Sequence, residues 1–346
     1  MKLIKRVSKM VVLLLCTVFL FICVNDTLAF KSSDGVTPIK DFYHYPKDSI
    51  DVLLLGTSHM GTDIDAATLY DEYGIASYCL WGSMQPLWNS YFYLKEALKT
   101  QTPRLVILET YAAGYENEFS DYSRIVKNVS GMKLSQNKIE AIKVSAPEDL
   151  WDDLILQLPV SHTRYDELTE TDFRYYPWSA EDLVNKHTHS ACDDIFPCKR
   201  PDLENVTESK AILPKNEEYL IKIIRLLQEK QIPLLFICSP CPISQEAQMK
   251  QLRVQEIAEE NGVPFVDYNQ MYDEIELDFQ SDFRDKVHLN YNGNQKVTLH
   301  LGRYLTDHFD LPDRRGNEDY KSWQEFAQWT WSMHLRNIGQ VDGSAK

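Results

Sequence analysis

Three mostly apolar segments, the first an unbroken run and the first two each giving way to a helical pattern, dominate the stretch from Asp51 to Glu109. The first, Val52-Leu53-Leu54-Leu55, closes on Gly56 and hands over to Thr57-Ser58-His59. Asp63 to Tyr73 then has helical spacing, with Ile64, Ala67, Leu69 and Tyr70 for one face and Gly74 as its stop. Ile75 to Leu80 is a second strand, ending in Trp81-Gly82-Ser83. Leu87 to Leu98 is a helix with Leu87, Tyr91, Leu94 and Leu98 on one stripe, and Arg104 to Glu109 is a third strand after Pro103. Strands apolar at every position are buried on both faces, which is the signature of a parallel sheet covered by helices on each side. Such sheets place their ligands at the carboxyl edge, and Ser58 falls there.

From Ala112 to about Pro214 the rhythm lapses. Lys138 to Lys143 and Pro147 to Leu158 have helical content. The rest is polar and aromatic, including Tyr165, Phe173, Tyr175, Tyr176 and Trp178. Insertions of this length are often functional, and a cap or lid over the carboxyl edge is expected. The alternation resumes with a helix from Asn216 to Glu229, a strand from Leu234 to Cys238, a helix from Ser244 to Asn261 closed by Gly262, and a strand from Val263 to Tyr268. A polar loop from Asp282 to Asn290 precedes a helix from Gln295 to Phe309. The tail from Tyr320 to Leu335 is an aromatic helix whose Trp323, Phe326, Trp329, Trp331 and Met333 are expected to pack, or, if exposed, to meet a membrane or partner. Residues 31–50, with Pro38 and Pro46, are expected to be an extended lead-in. The divisions are therefore 1–30, a signal anchor or signal peptide; 31–111 and 215–310, the two parts of an α/β domain; 112–214, the inserted cap; and 311–346, the aromatic helix and tail.

Lys2, Lys5, Arg6 and Lys9 precede an uncharged apolar run from Met10 to Val24. That order belongs to a secretory signal or an uncleaved anchor, and in both the remainder lies outside the cytoplasm because the basic flank stays inside. Extension to Phe30 brings the segment near the roughly 20 residues a spanning helix needs, which favours the anchor. Thr27-Leu28-Ala29 leaves cleavage open. A net charge of -15, from 36 basic and 51 acidic residues, argues against nucleic acid as a partner. Cys192 and Cys198 stand in a polar stretch where a disulfide is feasible in an oxidising exterior. Cys238-Ser239-Pro240-Cys241 has redox spacing but lacks the surrounding pattern, so a local disulfide or two free thiols is expected.

A serine hydroxyl becomes a nucleophile when a base removes its proton, and the base works best with a carboxylate fixing its tautomer. Asp285-Lys286-Val287-His288-Leu289-Asn290 follows the fifth strand, so a parallel sheet brings Asp285 and His288 to the edge that carries Ser58. His59 is a candidate for lining the pocket. Ser161-His162-Thr163-Arg164-Tyr165 is a compact polar-aromatic cluster in which His162 and Arg164 are candidates for gripping a sugar or acyl donor. His187 and His189 near Cys192 have metal-like spacing, but no supporting ligands accompany them, and a solvated loop is expected.

The serine after the first strand, the Asp-x-x-His near the end and the five-strand pattern together resemble the SGNH/GDSL hydrolase family. The resemblance implies a flavodoxin-like three-layer α/β/α fold with a five-stranded parallel sheet. It implies Ser58 as nucleophile, Gly82 as an oxyanion glycine, and Asp285 and His288 as orienter and base. The first block here is Gly56-Thr57-Ser58-His59 rather than Gly-Asp-Ser. Where the family's Gly-x-Asn-Asp would stand the chain reads Leu108-Glu109-Thr110-Tyr111. An oxyanion hole would then rest on the N–H groups of Ser58 and Gly82, or borrow Asn290. These blocks, with Trp81-Gly82-Ser83-Met84-Gln85-Pro86-Leu87-Trp88-Asn89, look like the membrane-anchored members that assist O-acetylation of surface polysaccharides or D-alanylation of teichoic acid. That narrower resemblance implies a polysaccharide substrate, a membrane-bound O-acyltransferase as partner, and no metal or cofactor. Two other outcomes are compatible with the same residues: an esterase that resolves the acyl-serine with water, and a non-catalytic glycan-binding partner of the acyltransferase.

Overall fold

The computed structural model describes residues 2–173 and 192–337. The expected roles of Tyr175, Tyr176, Trp178, His187 and His189 fall outside the described residues. Helix α1, Lys2–Leu28, is followed by a short α2, Val36–Phe42. The extended lead-in expected over 31–50 is therefore partly helical. Pro38 sits in the first turn of α2, where its missing N–H has no intrahelical acceptor to lose.

The core is built from β1 (Val52–Gly56), α3 (Ser58–Asp63), α4 (Ala66–Tyr73), β2 (Ser77–Trp81), α5 (Leu87–Ala97) and β3 (Leu105–Glu109). Between β3 and the next strand lie α6 (Tyr122–Ser130), α7 (Gln136–Ser145), α8 (Trp151–Leu156) and α9 (Leu158–Ser161). The alternation then returns with α10 (Pro214–Glu229), β4 (Leu234–Cys238), α11 (Gln245–Glu260), β5 (Phe265–Asp267), α12 (Tyr291–His308) and α13 (Lys321–Asn337). The five strands pair in the order β2-β1-β3-β4-β5, and every pair is parallel. With helices on both faces, this is a flavodoxin-like three-layer α/β/α sheet, as expected.

Alternate strand residues feed two cores. Leu53, Leu55, Val106, Leu108 and Phe236 pack on one face, and Val52, Leu54, Ile107, Leu235 and Ile237 on the other. This explains why the sequence shows apolar runs and not an apolar–polar alternation. The order places the topological switch point between β1 and β3, where an open α/β sheet splays its outgoing connections apart. Ser58 follows the first of these strands and Glu109 ends the second.

The expected helix from Asp63 to Tyr73 is two helices. Asp65 breaks the run by accepting the Ala67 N–H as N-cap of α4, at 2.8 Å, and Gly74 ends it. The helices α6 to α9 enclose a small core of their own, including Ile125, Val129, Ile142 and Leu154. Helix α7 lies against α5, where the Asn137 amide donates to Phe92 O at 3.0 Å and to Glu96 Oε1 at 2.7 Å. This part of the insert therefore flanks the sheet. Residues 192–198 instead run along the loop before α12: Phe196 N–H donates to Phe283 O at 2.8 Å and Tyr291 N–H to Cys192 O at 2.8 Å.

In α13, Trp323 and Phe326 are buried, and Trp323 Nε1 donates to Ser77 O at 2.9 Å. Trp329 and Trp331 remain exposed. Cys192 and Cys198 are separate thiols, so the disulfide feasible between them is not formed. Cys238 and Cys241 are buried thiols, and burial pushes both well above the ordinary thiol range, which does not suit redox work.

Candidate active site

The loop after β5 folds back on itself. Phe283 and Leu289 form an antiparallel bridge, Arg284 N–H donates to His288 O at 3.0 Å, and Asn290 N–H to Asp282 O at 2.9 Å. Inside this turn Asp285 Oδ1 accepts the N–H groups of Val287 and His288, each at 2.9 Å, the local closure that Asp favours. The same carboxylate reaches the His288 ring, accepting from Nδ1 at 2.9 Å through Oδ2. The opposite nitrogen, Nε2, lies 2.7 Å from Ser58 Oγ. A serine, an imidazole and a carboxylate from opposite ends of the chain thus form one hydrogen-bonded line at the switch point. Activation of a serine by a general base needs this geometry.

Ser58 is presented by a tight handover from β1 to α3. Thr57 is the N-cap, and its Oγ1 accepts the His59 N–H at 3.2 Å. The same hydroxyl donates to Glu109 Oε2 at 2.8 Å. Glu109 Oε1 accepts the Tyr111 N–H at 2.5 Å, so this fully buried carboxylate ties the end of β3 to the serine turn. Only glycine fits at position 56, since an added Cβ would lie 2.7 Å from Glu109 Cβ and 3.0 Å from Met60 Cβ.

Behind His288 stands a second imidazole. His59 is buried, its ring centroid 4.9 Å from that of His288 and 4.2 Å from that of Tyr111. Its Nδ1 donates to Asp63 Oδ2 at 2.9 Å. Asp63 Oδ1 accepts from Thr62 Oγ1 at 2.6 Å and from the Leu289 N–H at 3.1 Å. One buried carboxylate therefore joins the helix that carries Ser58 to the residue next to His288.

Electrostatics separates the two imidazoles. Burial lowers the pKa of His288, and the charge of His59 adds to this; Asp63 and Asp285 pull the other way without cancelling it. For His59, burial opposes protonation but the hydrogen bond and charge of Asp63, with Glu109 and Asp285, outweigh it, and its pKa is raised. Asp285 is lowered: burial raises it, yet the N–H groups of Val287 and His288 and the His288 ring prevail. Glu109 is raised by burial, although His59 and its N–H donors offset part of this. His288 thus gives up a proton more readily than a free imidazole, while His59 holds one more tightly.

The other candidate residues have different placements. Gly82 follows β2 and packs closely: a Cβ there would lie 2.2 Å from Asn128 Oδ1 and 3.1 Å from Gly35 Cα. Asn290 does not offer its amide to the serine. It is the N-cap of α12, its Oδ1 accepting the Gly293 N–H at 3.2 Å and its Nδ2 donating to Ser281 O at 2.6 Å and Asp194 O at 3.1 Å. Arg164 is committed to the end of α1, donating to Leu28 O at 3.2 Å and Ala29 O, and to Asp172 Oδ1 at 3.2 Å. His162 is exposed and its ring donates to Pro159 O at 2.7 Å. The bonds these two side chains make hold the insert together and to the end of α1, and neither joins the Ser58–His288–Asp285 line.

Sequence reasoning missed Asp63, Glu109, Thr57 and Asn128. The i, i+4 spacing of His59 and Asp63 was the available signal for the first. Asn128 stands on α6, far along the chain from Gly82, and left no signal.

A protein-family model matches residues 160–310. No curated protein matches the chain. Among solved structures, a Bacteroides fragilis protein described as an acylhydrolase is similar over 80% of this chain and 98% of its own, at 10% identity and a TM-score of 0.39. An acetyl xylan esterase is similar over 74% of this chain and 100% of its own, at 14% identity and 0.37. A GDSL-like lipase from Bacteroides thetaiotaomicron covers 74% and 87%, at 10% identity and 0.34. Likenesses this distant carry no activity across, and the fold stands on the topology of the sheet itself.

Proposed function

We propose that the chain is a membrane-anchored, extracytoplasmic serine acyltransferase that moves an acyl group, most simply acetyl, onto a hydroxyl of a surface polysaccharide. The observation that carries the reading is the line from Ser58 Oγ through His288, 2.7 Å and 2.9 Å long, ending on Asp285. Ser58 Oγ attacks the acyl carbonyl while His288 Nε2 takes its proton. The tetrahedral intermediate collapses as His288 returns that proton to the leaving group, and the acyl-serine remains. A sugar hydroxyl then attacks it, with His288 as base once more, and Ser58 recovers its proton. Asp285 keeps the imidazole in the tautomer that leaves Nε2 free. Ser58 opens α3, so its own N–H has no acceptor within the helix and is available to a developing oxyanion. Gly82, at the end of the neighbouring strand, would contribute the second N–H.

Support for the anchor comes from Ile4–Leu28, a 25-residue stretch long and apolar enough to cross a membrane. Its basic N-terminal flank favours a cytoplasmic start and an external domain. A membrane-bound O-acyltransferase as donor partner, and polysaccharide as acceptor, rest on the motif resemblance. The test is incubation of the purified chain with an acetyl ester, with and without a glycan acceptor. Transfer requires acetylated glycan and a rate that rises with acceptor. Acetyl release indifferent to acceptor would make the enzyme an esterase. Full restoration of surface acylation by Ser58→Ala in a deletion strain would leave only a binding role.

A further inference from the structure

The external end of α1 is clamped by the insert. Arg164 donates to the carbonyls of Leu28 and Ala29, and its other terminal nitrogen reaches Asp172 Oδ1 at 3.2 Å. Lys31 pairs with the same Asp172 carboxylate. Phe30 packs against the insert's small core, as Trp151, Ile155 and Val160 also do. The first residues past the helix are thus fastened to residues 151–172 by a guanidinium, a salt bridge and an apolar contact.

The helix length sets where this clamp lies. Ile4–Leu28 spans 25 residues, and at 1.5 Å per residue that is about 37 Å, against a hydrocarbon core of about 30 Å. Its end therefore emerges in the headgroup layer, which is roughly 5–7 Å deep on each side. Two exposed aromatic residues are chain neighbours of the clamp: Tyr165, 65% exposed, follows Arg164, and Phe173, 57% exposed, follows Asp172. Consecutive Cα atoms are about 3.8 Å apart, so neither can be far from the level of the clamp. Leu156, 51% exposed, ends α8 just before the same stretch.

We propose that residues 156–173 are a foot that rests on the bilayer, with Tyr165, Phe173 and Leu156 in the interfacial layer and Arg164 and Lys31 at the level of the lipid phosphates. The inference rests on α1 being a spanning anchor. Aromatic rings with a polar tip settle at this depth. An anchor alone leaves a domain free to swivel. A foot beside the anchor fixes the height and tilt of the sheet, and with them the direction in which Ser58 faces.

The test is photocrosslinking of the full chain in vesicles of phosphatidylcholine and phosphatidylglycerol. p-Benzoylphenylalanine replaces Tyr165, Phe173, Phe21 within α1, or the exposed Glu259 on α11, one at a time, and intact mass reports lipid adducts. Adducts at 165 and 173 several-fold above that at 259 are expected. Yields at 165 and 173 no higher than at 259, with position 21 labelled, overturn the foot while leaving the anchor intact. No adduct at 21 removes the anchor reading, and the foot with it.

Discussion

Replacing Asp63 tests whether the nucleophile helix and the base loop are held together as the geometry indicates. Its carboxylate is fully buried and accepts from His59 Nδ1, Thr62 Oγ1 and the Leu289 N–H. Asp63→Ala strands two buried N–H groups; the Thr62 hydroxyl can turn elsewhere. At about 1–3 kcal/mol for each stranded group, the loss is about 2–6 kcal/mol. Asp63→Asn returns one acceptor oxygen and loses about half as much. Urea unfolding of the three proteins in the same detergent should show midpoints falling in the order parent, Asn, Ala at a common m value. Release of the Leu289 N–H also frees His288 to drift, and a displacement near 1 Å at reacting groups costs about 100-fold in kcat/KM. An Asp63→Ala protein within about 0.5 kcal/mol of the parent, the range of an inert surface change, would refute the reasoning.

Three further outcomes are expected. The acidic limb of kcat/KM lies below the ordinary histidine range, because burial and the charge of His59 lower His288; His59→Gln moves the limb to higher pH, and an unmoved limb contradicts the coupling. His59 binds its proton more tightly folded than unfolded. Its contribution to stability is therefore complete below about pH 6.5 and is lost as pH rises through the higher folded value, a dependence that unfolding titrations should find missing in His59→Gln. Asn290→Ala removes a helix cap worth about 0.5–2 kcal/mol, and kcat/KM stays within a few-fold; a loss of about a hundredfold or more would return the side chain to the oxyanion hole. Gly82→Ala forces a Cβ to 2.2 Å from Asn128 Oδ1, with a cost of about 1–3 kcal/mol in thermal or urea unfolding and a fall in activity.

The sheet was legible because β1 to β4 are buried along their whole length and so appear as mostly apolar segments, with Gly or Pro close to their ends. The Ser58–His288–Asp285 line was legible because the carboxyl edge of a parallel sheet gathers residues distant in sequence. Local polar chemistry was not. Asn290 reads as a free amide in sequence, but it opens α12 and spends its donors on loop carbonyls. Arg164 reads as a substrate grip, but the unsatisfied carbonyls at the end of α1 claim it first. Asp63 reads as the start of a helix in sequence but ends α3, where it stands i, i+4 from His59. Glu109 reads only as the end of a strand, although it fastens β3 to the serine turn through Thr57.

The most direct test of the acyl-serine is rapid acid quenching of the protein with an acetyl ester, followed by peptide mapping by mass spectrometry. One acetyl group on the peptide containing Ser58 is expected, formed slowly or not at all in His288→Gln. An unmodified Ser58 in the steady state, together with parent-level turnover by Ser58→Ala, would contradict the account.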